Sequence, residues 1–113
     1  MHEMGVTQSV LKIALDAGER AGASRISAIQ IRMGEYSDVV PAIFREYFAI
    51  AAAGTIASDA EIRISRVPVT MRCRECLWEG HVDRQDIRCG ACGGTSLKLL
   101  TGREFVVDSL EAE

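Results

Sequence analysis

The stretch CRECLWEGHVDRQDIRCGAC, residues 73–92, decides how the rest of the chain is read. It is C-x2-C, a twelve-residue spacer, then C-x2-C, and it holds all four cysteines, Cys73, Cys76, Cys89 and Cys92. Two thiolates three residues apart on a tight turn reach one ion. A second such turn, brought back by a hairpin, completes a tetrahedron. Gly90, Gly93 and Gly94 supply the backbone that such turns need. The spacing reads as structural zinc, because four thiolates close the shell and leave no position for catalysis. The competing readings are two disulfides or a redox C-x-x-C pair. Apolar residues within the stretch are few, Leu77, Trp78, Val82 and Ile87, so zinc binding would supply its folding energy. Arg72, Arg74 and Arg88 flank the turns and would offset the negative charge of the thiolates. His81, between the turns, is either a solvated turn residue or an exchangeable metal ligand.

Around this segment the hydrophobic pattern describes a small α+β domain. Residues 4–21 read as an amphipathic helix with Val6, Val10, Ile13, Ala17 and Ala21 on one stripe, Ala14 beside them, and Gly22 as the stop. Residues 26–34 read as a strand, with Ile29, Ile31 and Met33 alternating against Gln30 and Arg32. The linker EYSD leads to a helix over about 41–53, with Pro41 in its first turn and Ser37 or Asp38 as a cap. Its apolar face is Ile43, Phe44, Tyr47, Phe48 and Ala51. Residues 61–72 read as a strand whose apolar parity changes at Pro68, where a bulge or break is expected. The apolar tail over 97–110, split by Gly102, is expected to return to the first sheet. The expected fold is about three strands packed by two helices, with an inserted zinc-ribbon-like module. Residues 1–70 plus 97–113 would form one domain and 71–96 the module.

Composition excludes several function classes. The 113 residues are 48% hydrophobic and 5% aromatic, enough for an aliphatic core. The net charge is −3, and residues 72–92 balance four arginines against four carboxylates. A nucleic-acid adaptor built on a zinc ribbon is the alternative reading. It is disfavoured by this balance and by Trp78 as the ribbon's sole large aromatic. No apolar run approaches the ~20 residues of a membrane span, and the start does not resemble a signal peptide. A cytoplasmic protein without membrane or nucleic-acid partners is expected. No nucleophile–base pair, phosphate loop or paired carboxylate suggests an enzyme.

The chain opens MHEMGV. The Met1 amine, the His2 main-chain nitrogen and the His2 imidazole are contiguous donors that can close two fused chelate rings in one plane. Planar nitrogen donors favour Ni(II) or Cu(II) over Zn(II). Glu3 could add an oxygen or orient the imidazole. The plainer reading of Glu3 is a carboxylate favoured by the start of a helix.

MHEMGV, then GEYSDV after a strand, then C-x2-C-x12-C-x2-C toward the C-terminus resembles the HypA family of hydrogenase nickel-incorporation proteins, in the same order and over nearly the whole length. The resemblance implies a nickel metallochaperone with a structural zinc site. It implies His2 as the principal nickel ligand, helped by Glu3 and the Met1 amine, and Cys73, Cys76, Cys89 and Cys92 as zinc ligands. Asp38 resembles an acidic position near the nickel site of some members. The implied partners are a nickel-handling GTPase, HypB in this family, and the large-subunit precursor of a [NiFe] hydrogenase. A shared role with urease maturation proteins is equally compatible with these residues. Leu77 and Gly93 stand where some members have a histidine after a C-x-x-C pair, so a zinc shell that exchanges ligands with pH does not carry over.

Overall fold

The computed structural model describes residues 3–113. Its elements, in order, are α1 (Glu3–Arg20), β1 (Ile26–Gly34), α2 (Pro41–Ala52), β2 (Glu61–Val67), β3 (Thr70–Cys73), β4 (Glu79–His81), β5 (Leu97–Thr101) and β6 (Phe105–Ala112). They form an α+β fold with two helices and two three-stranded sheets, β2-β1-β6 and β4-β3-β5. Two compact units result. The first takes in the chain up to Arg32, with Asp38–Ser65 and Val106–Glu113; the second takes in Met33–Ser37 and Arg66–Phe105.

In the first unit β1 is the central strand, and Ile26, Ala28, Ile29 and Ile31 are all buried. Arg25 and Glu113 exchange main-chain hydrogen bonds, so β6 enters antiparallel to β1. α1 and α2 pack against each other. Pro41 occupies the first turn of α2, as its fixed φ favours, and Phe44, Phe48 and Ala52 are buried. The cap position falls at Val40, which makes no side-chain capping bond, and not at Ser37 or Asp38.

The buried stripe of α1 differs from the expected one. It is Thr7, Val10, Ala14 and Gly18, while Ile13 is 50% exposed. The helix is turned about one residue around its axis, so that its smallest side chains face inward. A Cβ on Gly18 would lie 3.0 Å from Ile56 Cδ1 and 3.2 Å from Ile26 Cδ1, so the helix comes closer than a bulky stripe would permit.

In the second unit β3 pairs antiparallel with both β4 and β5. Val69, Met71 and Val82 form its core, with Tyr36, Trp78, Leu97 and Leu99 packed around them. Leu77 is 70% exposed and Ile87 is also exposed, so neither belongs to that core. The break at Pro68 separates β2 from β3, as the change of parity predicts. The tail behaves differently from expectation. Leu97–Thr101 pairs with β3, and only the segment after Gly102 joins the first sheet. Gly102 has φ +123°, and its carbonyl oxygen would lie 2.0 Å from any Cβ on Gly34. Only glycine at 34 lets the main chain at Gly102, between β5 and β6, come this close.

Candidate metal centre

Each cysteine pair sits on its own turn, and the two turns repeat one hydrogen-bond pattern. In the first, Cys73 N–H donates to Trp78 O at 2.7 Å and Leu77 N–H donates to Cys73 O at 3.1 Å. In the second, Cys89 N–H donates to Gly94 O at 2.8 Å and Gly93 N–H donates to Cys89 O at 3.1 Å. The spacings are the same, five residues on and four residues back. The residue after the second cysteine therefore carries a positive φ in both turns, +66° at Leu77 and +72° at Gly93. One turn meets that demand with glycine and the other holds a leucine under strain.

The four Sγ atoms lie within 4.8 Å of one another. Cys73 Sγ is 3.7 Å from Cys92 Sγ, and Cys76 Sγ is 3.4 Å from Cys89 Sγ. A tetrahedron with Zn–S bonds of about 2.3 Å has edges of about 3.8 Å. The thiols fit one tetrahedral ion. Cys73 and Cys89 are buried, and Cys76 and Cys92 are exposed.

Main-chain N–H groups face the sulfurs, and two of the three expected arginines, Arg72 and Arg88, are bonded elsewhere. Cys76 N–H points at Cys73 Sγ at 3.5 Å, and the N–H groups of Ala91 and Cys92 point at Cys89 Sγ at 3.3 and 3.4 Å. Arg72 instead pairs with Glu79 at 2.9 Å and Arg88 with Asp86 at 2.7 Å. Burial pushes the Cys89 thiol up, but the N–H groups of Cys92 and Ala91 outweigh it and bring it down to about 6. The N–H groups of Cys76 and Glu75 lower Cys73 likewise. At Cys76 the Trp78 N–H pulls down, but the Cys89 sulfur, burial and the two remaining sulfurs push the thiol up to about 12. Cys92 follows Cys76: the Gly94 N–H pulls it down, and the sulfurs of Cys89 and Cys73 push it up. Each turn thus holds one thiol that is lowered and one that is raised, and a divalent ion would draw off the remaining protons.

Trp78 ties the turns together. A Cβ on Gly80 or on Gly90 would lie 2.5 Å from Trp78 Cζ2, so the indole packs directly against both glycines. No sequence period announces this contact. His81 ends β4, and its Nε2 lies 3.6 Å from Glu35 Oε1, away from the cysteines in the chain and outside their cluster. Among the described residues the cysteines form the one group of three or more candidate ligands. Met1 and His2, expected at the nickel site, lie outside the described residues. Glu3 begins α1 and is only 3% exposed, and Asp38 is exposed.

Comparison with known proteins accords with this arrangement. Residues 1–112 match the family model "Hydrogenase/urease nickel incorporation, metallochaperone, hypA". The chain is 38% identical over 112 residues to the hydrogenase maturation factor HypA of Chloroflexus aurantiacus, covering 98% of each. It is 36% identical over 111 residues to that of Chlorobium luteolum, covering 97% of this chain and 94% of the relative. The solution structure of the Ni metallochaperone HypA from Helicobacter pylori shares the fold, with a TM-score of 0.69 at 23% identity over 99% of this chain and 97% of that one. The order of helices, sheets and paired cysteine turns and this match over almost every residue lead to one conclusion: the chain belongs to the HypA family of hydrogenase/urease nickel-incorporation metallochaperones.

Proposed function

We propose that the chain binds Ni(II) through the Met1 amine, the main-chain nitrogen and imidazole of His2, and Glu3, and that Asp38 lies near this site. It delivers the ion, with a HypB-like GTPase, to the large-subunit precursor of a [NiFe] hydrogenase in the cytoplasm. Urease maturation proteins are the second class of recipient. Cys73, Cys76, Cys89 and Cys92 hold structural zinc, which supplies folding energy to a unit with a small core and leaves no open position.

The observation that carries this reading is the family match from residue 1 to residue 112. Glu3 stands in the first turn of α1, next in the chain to the terminal donors. A site made from a chain end and few side chains favours release, as a carrier requires. Binding displaces protons from an amine of pKa ~8 and an imidazole of pKa ~6.5, so affinity falls as pH falls. No helix among the described residues is long and apolar enough to cross a membrane.

The test is a calorimetric Ni(II) titration of zinc-loaded protein with its native start, beside the same protein carrying one extra residue ahead of Met1. Binding lost on extension supports the terminal site. Equal binding by both proteins overturns it.

A further inference from the structure

The second unit has a pocket of about 210 Å3, lined by Glu35, His81, Val82, Asp83, Arg84 and Gln85. We propose that Glu35 and His81 form there a second, exchangeable site for a first-row divalent cation, distinct from both the terminal donors and the four cysteines.

The donors are held ready from separate segments. His81 ends β4, while Glu35 follows β1. Val69 N–H donates to Glu35 Oε1 at 2.9 Å and fixes the carboxylate. The far wall is pinned as well. Gln85 N–H donates to Asp83 Oδ1 at 2.8 Å, and Arg84 Nη1 donates to the main-chain oxygen of Glu35 at 2.7 Å. The Arg84 guanidinium lies 5.2 Å from the centre of the Tyr36 ring. The arginine's contacts are thus with a main-chain oxygen and a ring face, and Asp83 adds a second carboxylate to the pocket.

The gap between the donors suits an ion. His81 Nε2 and Glu35 Oε1 are 3.6 Å apart, beyond a good hydrogen bond. An ion bonded at about 2.1 Å to both would subtend about 118°, close to the tetrahedral range. A small rotation of the exposed His81 ring toward Glu35 brings octahedral angles within reach. Both groups open to solvent, with side chains 60% and 39% exposed for His81 and Glu35. Imidazole with carboxylate selects Ni(II), Zn(II) or Cu(II) over Mg2+ or Ca2+. Two protein ligands with water filling the shell make a weak site, one that accepts and yields an ion.

The chain has two histidines, His2 and His81, so their ring signals are easily told apart by NMR. Zinc-loaded, full-length protein is titrated with Ni(II) while both rings are followed. The His81 signals are expected to broaden as Ni(II) is added. Glu35→Gln keeps an acceptor for Val69 N–H and should need about tenfold more Ni(II) for the same broadening, a loss of about 1.4 kcal/mol. Retained zinc and unchanged Trp78 fluorescence show that it is folded. His81→Gln, at an exposed position, should remove the second binding event in calorimetry. His81 signals unmoved while those of His2 respond would overturn this site and leave the terminal one standing. His81 responding alone would support this site and count against the terminal one. A Glu35→Gln titration matching the unsubstituted protein would show that the carboxylate is no ligand and would also overturn the proposal.

Discussion

The repeated turn geometry makes opposite demands of the same substitution at two positions. Gly93 has φ +72°, and a Cβ there would meet nothing within 4 Å. Gly93→Ala therefore costs only the left-handed backbone, about 1–2 kcal/mol. The stiffer unfolded chain returns about 0.4–1 kcal/mol. The net loss is about 0.5–1 kcal/mol. Leu77 has φ +66° at the equivalent place. Ala and Gly at 77 both delete the leucine side chain, so the difference between Leu77→Ala and Leu77→Gly isolates the backbone. The glycine variant should be the more stable by the same ~0.5–1 kcal/mol. Folding of this unit and zinc binding are linked, so competition with a chromophoric chelator reads the effect. About 1 kcal/mol is roughly a fivefold change in apparent zinc affinity. Zinc affinity should fall with Gly93→Ala and be higher in Leu77→Gly than in Leu77→Ala. If the two variants at 77 bind zinc equally, the positive φ is not a strain that the turn imposes, and the equivalence of the turns fails.

Other substitutions separate the parts of the molecule. His2→Ala should remove the terminal nickel-binding event in calorimetry, leave the weaker event at Glu35 and His81, and leave the circular dichroism and zinc content unchanged. Cys73→Ser or Cys89→Ser should release zinc and unfold the second unit, measured by metal analysis and the Trp78 emission; full zinc retention would remove either residue from the ligand set. Gly90→Ala would drive a methyl to 2.5 Å from the indole, so Trp78 must move, at a cost of about 1–3 kcal/mol and with a shifted emission maximum. In metal-free protein Cys89 is lowered from 9.0 to about 6. Its contribution to stability is therefore present above the unfolded value and lost as pH falls through about 6. Cys76 is raised to about 12, so its contribution is present below 9.0 and lost as pH rises toward 12. Denaturant melts of the metal-free chain should show stability rising from pH 6 to 9 and falling beyond it.

What the sequence disclosed follows the range of the interaction concerned. β1 was legible because Ile29, Ile31 and Met33 alternate locally, and α2 because Pro41 marks its first turn. The cysteine cluster was legible because two ligands three apart define a turn by themselves. The rotation of α1 was not, because a wheel weights Ile13 and Val6 by their size. The actual contact is chosen by how closely Gly18 admits Ile26 and Ile56, residues distant in the chain. The tail was half legible. Gly102 announced a break, but a local pattern cannot say that Leu97–Thr101 finds β3 as its partner. Glu35 was hidden for the same reason, since Val69, His81 and Arg84 meet it only through tertiary pairing.

The arginines give the sharpest contrast between charge counted along a sequence and charge placed in space. Arg72 and Arg88 stand beside ligand cysteines in the chain, yet they are bonded to Glu79 and Asp86. Both pairs are well exposed, and such pairs contribute about 0–1 kcal/mol. The N–H groups that face Cys73 and Cys89 belong to the turns themselves. Compensation of the thiolate charge is then a property of the C-x2-C turn and not of its flanking residues. Arg88→Gln should leave zinc affinity within about fivefold of the parent, the span of a surface pair. Raising the salt concentration should change it little, because N–H dipoles in contact with the sulfurs are not screened as separated surface charges are. A steep salt dependence, or a loss well beyond fivefold on removing Arg88, would return the compensating role to the arginines.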